Sequence, residues 1–143
     1  MVNVYFNQAF GFDTRLGRVE ANGKVYERRP GPDKYLGRVD LRSGKIYETR
    51  FGPDRYLGWV DKDTGRVYLP RIGPDYFLGR VEGNGKLYLN RMIGMDKLLG
   101  RITGMPSRMH GGAALLLLVW PHYQAMQMAA GGGEDFEIHV KTF

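Results

Sequence analysis

An aspartate recurs along the chain in the company of glycine and proline. It stands in Gly31-Pro32-Asp33, Gly52-Pro53-Asp54 and Gly73-Pro74-Asp75, and in the altered copies Gly11-Phe12-Asp13 and Gly94-Met95-Asp96. Five carboxylates at regular spacing could ring a cation. They could also hold their own loops, because Asp accepts hydrogen bonds from nearby backbone N–H groups and Pro pre-sets φ for a turn. The second reading needs no ligand and is the expectation. Asp61-Lys62-Asp63-Thr64-Gly65 has two acids but lacks the other ligands of a calcium loop, so it reads as a hairpin turn.

Arginines recur as well, in two sets. Arg18, Arg38, Arg80 and Arg101 occupy one position of a repeated Leu-Gly-Arg-Val or Leu-Gly-Arg-Ile, and Trp59 replaces Arg in the third copy. Tyr26, Tyr47, Tyr68 and Tyr88 follow an aliphatic residue in the same units. Arg beside an aromatic ring can serve a phosphate-and-stacking surface, or it can tie strands together through cation–π contact. Arg18, Arg38 and Arg80 each precede an acid by two residues, which neutralises them locally and favours the structural role. The second set, Arg28, Arg29, Arg50, Arg71 and Arg91, follows the second strand of each unit. These five should lie at one rim, where they are the candidate anion contacts.

Covalent catalysis finds little support. Ser43 lies in one copy of a turn, Ser107 in the degraded unit, and His110, His122 and His139 are scattered. There is no Cys, which excludes disulfides and Cys-ligated metal. No catalytic residue, metal or cofactor is therefore expected. The chain of 143 residues carries +6, unevenly: 20 Lys/Arg and 12 Asp/Glu in residues 1–109, one Lys and three acids beyond. A basic body admits nucleic acid, phosphate or an anionic membrane as partner.

The elements that position these groups form a repeat. Leu16-Gly17-Arg18-Val19 returns at Leu36, Leu57, Leu78 and Leu99, at spacings of 20, 21, 21 and 21. Each unit of about 21 residues reads as strand, turn, strand, loop, as in 35–40 and 45–50 joined by Leu41-Arg42-Ser43-Gly44. The turn sets the pairing: Val39 opposite Ile46 on an inward face, Arg38 opposite Tyr47 and Asp40 opposite Lys45 on the outer one. The Gly of each Leu-Gly-Arg-Val should mark a bulge or bend. The first strand, 2–6, lacks a partner before it, and 98–103 lacks a return strand. Pairing these two closes the array and removes two exposed edges. The expected fold class is all-β, a closed ring or barrel of about ten short antiparallel strands.

Residues 113–120, Ala-Ala-Leu-Leu-Leu-Leu-Val-Trp, are apolar throughout and too few to span a bilayer. A helix of about 8–10 residues matches the height of such a barrel, whose centre side chains alone would not fill. The segment is expected to plug it, and Pro121, His122, Gln124 and Gln127 interrupt any extension of the apolar run. The organisation is then a repeat domain over 1–109, an apolar helical segment over 110–130, and a Gly hinge with a final strand over 131–143. In that strand Phe136, Ile138 and Val140 share one face and could add to a neighbouring sheet.

The Gly-x-Val-x-x-x-x-Gly-x-Val-Tyr pattern resembles short hairpin repeats in bacterial proteins of unknown function, a likeness that implies no activity. A barrel around an apolar helix is similar in architecture to the tubby and scramblase-like barrels. No motif of those families occurs here, so none of their residue roles carries over. The expectation is a non-enzymatic scaffold or protein-interaction module, self-associating or bound to a protein partner. The alternative is an anion binder, for nucleic acid or acidic lipid headgroups, through the basic rim. The first residues lack the pattern of a signal peptide, and a cytoplasmic setting is the expectation.

Overall fold

The computed structural model describes residues 2–8 and 12–130. It shows a closed ten-stranded antiparallel barrel around a C-terminal helix. The strands are β1 (Val2–Phe6), β2 (Thr14–Val19), β3 (Lys24–Glu27), β4 (Lys34–Val39), β5 (Lys45–Glu48), β6 (Arg55–Val60), β7 (Arg66–Leu69), β8 (Tyr76–Val81), β9 (Lys86–Leu89) and β10 (Lys97–Ile102). Each pairs with its sequence neighbours, and β1 pairs with β10.

The registers match the turn-derived pairing. Val19 faces Val25, Val39 faces Ile46, Val60 faces Val67 and Val81 faces Leu87. The split hairpin repeats the pattern, with Val4 opposite Ile102 and Tyr5 opposite Arg101. The chain ends thus build a fifth hairpin that lacks only its turn. All ten of these aliphatic residues are buried.

The glycines of Leu-Gly-Arg-Val are where neighbouring hairpins meet. Between β3 and β4, Val25 faces Gly37 and Tyr26 faces Tyr35, so Leu36 is the extra residue of a bulge. Equivalent shifts occur between β5 and β6, β7 and β8, and β9 and β10. A Cβ on Gly37 would stand 2.1 Å from the Tyr47 carbonyl oxygen on the other flank, inside any allowed contact. Gly17, Gly58, Gly79 and Gly100 meet Tyr26, Tyr68, Tyr88 and Tyr5 in the same way at 2.0 to 2.3 Å. The bulge bends each first strand, and glycine admits the carbonyl that the bend brings close.

The helix comprises α1 (Arg108–Ala114), a π-helical turn (Leu115–Val119) and α2 (Trp120–Ala129). It enters at the hairpin-turn end: His110 Nε2 is 2.9 Å from the Ala21 carbonyl oxygen, and Arg108 Nη1 donates to the Asp63 carbonyl at 3.2 Å. At this level there is no room for a methyl group. A Cβ on Gly111 would lie 2.4 Å from Val81, and one on Gly112 2.5 Å from Val60. Leucines 115–118 fill the middle. Residues 110–120 are continuously buried, which at 1.5 Å per residue is about 16 Å, the height of the wall.

The plug is therefore as expected, but the helix is longer. It begins at Arg108 and runs 22 residues, against the roughly 8–10 expected, and it continues through Pro121. A proline inside an α-helix removes one N–H and clashes with the carbonyl four residues back. Here the preceding turn is widened, with the Trp120 N–H bonding to the Leu115 carbonyl, five residues back. The π turn moves the backbone that Pro121 would otherwise strike. Residues 131–143, with Phe136, Ile138 and Val140, lie outside the described residues.

Two outcomes test this packing. Gly37→Ala should lower stability by about 2–4 kcal/mol. Gly31→Ala, at φ 81° with nothing within 4 Å, should cost only about 1 kcal/mol. Urea midpoints compare them. Trp120 is 3% exposed, so in Trp59→Phe the remaining tryptophan should resist acrylamide; free quenching would contradict a plugged barrel.

Candidate functional site

The outer wall carries one polar motif five times. Arg18 lies over Tyr26 at 4.1 Å, Arg38 over Tyr47 at 4.5 Å, Arg80 over Tyr88 at 4.2 Å and Arg101 over Tyr5 at 4.1 Å. In the third copy Trp59 stacks on Tyr68, with ring centroids 4.7 Å apart. Each Arg also reaches the loop aspartate that opens the neighbouring unit. Arg18 bonds Asp33 at 2.6 Å, Arg38 lies 3.5 Å from Asp54, Arg80 pairs with Asp96, and Arg101 reaches Asp13 at 3.3 Å across the closure. Trp59 donates its indole N–H to Asp75 at 2.9 Å in place of a guanidinium.

The Gly-Pro-Asp aspartates thus serve chiefly as partners for the wall. Turn capping is present at two of them, where Asp13 accepts from the Gln8 N–H and Asp96 from the Arg91 N–H. Among the described residues no group of three His, Asp or Glu is close enough to hold a metal. The facing acids and lysines meet through their backbones, as Glu20 N–H to the Lys24 carbonyl and Asp40 N–H to that of Lys45. The side chains go elsewhere: Glu20 pairs with Arg18 on its own strand at 3.4 Å. Asp40 and Asp61 each accept two backbone N–H bonds within their turns, which holds both carboxyls below their ordinary pKa.

The loops at the opposite end are different. Arg28, Arg29, Arg50, Arg71 and Arg91 do gather at this rim, in the segments that follow β3, β5, β7 and β9. Arg29 pairs with Glu27 at 2.7 Å. Arg50 and Arg71 each donate Nε to the carbonyl of the loop proline, Pro53 at 3.1 Å and Pro74 at 2.8 Å. That bond holds each guanidinium against its own loop, Arg71 also lying over the Tyr76 ring at 5.3 Å, and both residues remain exposed. Among the described residues Arg28, Arg50 and Arg71 have no carboxylate within 4 Å.

Beside these arginines stand large apolar side chains that the sequence reading passed over. Phe51 and Ile72 are fully exposed, at 107% and 103%, and Phe12, Met92, Ile93 and Met95 are nearly so. Phe51, Ile72 and Ile93 each precede the loop glycine, so they sit at the tips. Gly31, Gly52, Gly73 and Gly94 have φ of 81 to 92° and nothing within 4 Å of where a Cβ would be, so the tips stand clear of the barrel. The signal was present, since an apolar residue precedes that glycine in most units. It was read only as turn chemistry.

α2 leaves the barrel at this end, carrying exposed Met126 and Met128. Three clefts of about 290, 410 and 400 Å³ lie between it and the mouth. The second is lined by Thr14, Arg15, Glu27, Arg28 and His122 among others. His122 packs edge-on to Phe6 at 4.6 Å, and burial pushes its pKa down. His110 is buried at the other end, bonded to Ser107 Oγ at 2.7 Å.

The chain matches no protein-family model, no curated protein and no solved structure.

The equivalence of the five wall motifs makes an expectation. Trp59→Arg should leave stability within about 1 kcal/mol of the parent, because Tyr68 and Asp75 already stand where the other four copies hold an arginine. Chemical denaturation measures it. A loss of several kcal/mol would show that the third unit is packed on different terms.

Proposed function

We propose that the barrel is a non-enzymatic binding module and that its working face is the loop end. The observation that supports this is the cluster of exposed apolar tips, Phe51, Ile72 and Ile93 with Phe12 and Met95, on a fold whose ten paired inward-facing aliphatic residues are all buried. Exposed apolar side chains gathered on one face mark an interaction surface. The polar groups of the wall support the same reading from the other side. Their arginines, tyrosines and aspartates are engaged with one another, so they hold the hairpins together rather than present free chemistry.

The partner is then a macromolecular surface rather than a small molecule held in the barrel, whose centre the helix fills. The basic side chains among the tips favour a partner bearing negative charge.

Replacing Phe51, Ile72 and Ile93 by Ser should leave the unfolding free energy within about 0.5 kcal/mol of the parent, because the three touch nothing that they stabilise. The same triple variant should lose most of the parent's retention on a phenyl resin and most of any self-association seen by light scattering. Equal retention and equal mass for both proteins would place the apolar contact elsewhere.

A further inference from the structure

The loop end carries apolar and cationic groups in an arrangement that suits one kind of partner. We infer that it docks end-on to an anionic phospholipid bilayer, the tips entering the headgroup layer and the arginines meeting lipid phosphates. This inference rests on the reading of the loop end as the working face.

Three features carry it. The first is order along the barrel axis. The apolar residues occupy the tips, and nothing beyond the adjacent residues lies within 4 Å of where a Cβ on the following glycines would stand. Arg50 and Arg71 are tied back by their Nε bonds to Pro53 and Pro74 in the same loops. A surface that meets lipid needs this order, with apolar groups reaching the acyl boundary and cations beside them at the phosphates.

The second is the sign of the free charge. The loop aspartates Asp33, Asp54 and Asp96 point back to the wall, where Arg18, Arg38 and Arg80 neutralise them. Arg28, Arg50 and Arg71 have no such partner among the described residues. Asp75 is held by the neutral Trp59 indole instead, but the three arginines outweigh it, so the net unpaired charge of these loop groups is positive, complementary to an acidic leaflet.

The third is symmetry. The loops are copies of one turn set around one axis, so their tips are near-equivalent contact points. A folded protein or a peptide presents a directional surface and is gripped by unlike residues in a groove. A bilayer has no direction in its plane, and repeated equivalent tips match it. Nucleic acid is the less suited anion. Ile72, Ile93, Met92 and Met95 cannot stack on bases, and Arg18, Arg38, Arg80 and Arg101 are engaged with rings on the wall, although the rim residue Arg71 also lies over Tyr76 at 5.3 Å.

Sedimentation with vesicles tests the proposal. The parent chain should co-sediment with phosphatidylcholine vesicles containing about 30% phosphatidylserine at 0.1 M NaCl, and weakly or not at all with phosphatidylcholine alone. Raising the salt to 0.5 M should release much of it, because the attraction to the leaflet is screened. Arg50→Gln with Arg71→Gln should weaken binding by about tenfold or more. The Phe51, Ile72, Ile93 triple Ser variant should weaken it at least as much while keeping the parent's circular dichroism and melting temperature.

Absence of binding to either vesicle overturns the lipid inference. If phenyl-resin retention still depends on the tips, the working-face reading survives that result; if neither depends on them, both readings fall. Binding to a single-stranded oligonucleotide that the triple Ser variant retains, with no vesicle binding, would also overturn it and assign the arginines to nucleic acid.

Discussion

A ring of ten strands, each four to six residues long, is too wide for its own side chains to fill. The rest of the structure follows from how that void is closed. One helix occupies it, and the match is close enough that residues 111–114, where it passes the valines, are all glycine or alanine. At Gly111 and Gly112 the valines of β6 and β8 leave no room for a methyl group. Further along, the space widens to take four leucines and a tryptophan. A helix that is apolar all round has no stable place on a protein surface, and a ring with no centre has no core. Each half of the fold supplies what the other lacks.

Closure also explains the polar wall. Ten short strands offer few backbone hydrogen bonds per strand, and each hairpin must be tied to the next. The tie is a repeated three-body contact: an arginine on the first strand, a tyrosine on the second, and the aspartate of the following loop. Such partly exposed pairs are individually worth well under about 1 kcal/mol. Five of them around a ring act on the same degree of freedom, the angle between neighbouring hairpins. The contact across the seam, Arg101 with Tyr5 and Asp13, is the same contact made by residues from the two ends of the chain. Trp59 shows that the requirement is for a flat group with an outward N–H donor rather than for a charge, since its indole stacks on Tyr68 and donates to Asp75.

Much of this was legible because repetition turns one observation into five. The split hairpin could be read from a second strand without a first and a first strand without a second, and the registers Val4 to Ile102 and Arg101 to Tyr5 are the ones it requires. The aspartates were less legible. Within one unit each looks like a turn cap, and their true partners lie 15 or 16 residues earlier, or 88 residues away at the seam. The helix length was less legible, because the apolar run of residues 113–120 marks only the part that is buried, and a widened π turn leaves no sequence mark that residue types alone reveal. The tips were hidden for another reason. An apolar residue before a turn glycine has no period that separates exposed from buried, and only the backbone shows that Phe51 and Ile72 point into water.

The two ends of the barrel are consequently under different constraints. At the hairpin-turn end a Cβ on Gly23, Gly44, Gly65 or Gly85 would lie only 2.1 to 2.6 Å from a carbonyl oxygen of the next hairpin's first strand, and the helix N-terminus packs there as well. Substitution at that end disturbs the wall and the plug together. At the loop end the glycines stand free, and the side chains before and after them vary among Pro, Phe, Ile and Met without altering the turn. An apolar residue there stabilises nothing in the folded chain, yet it lowers solubility. Its presence in several units is what the proposed contact outside the chain would account for. That asymmetry, one end occupied by packing and a free end carrying unburied Phe, Ile and Met beside arginine, is the strongest physical reason for proposing the working face at the loops.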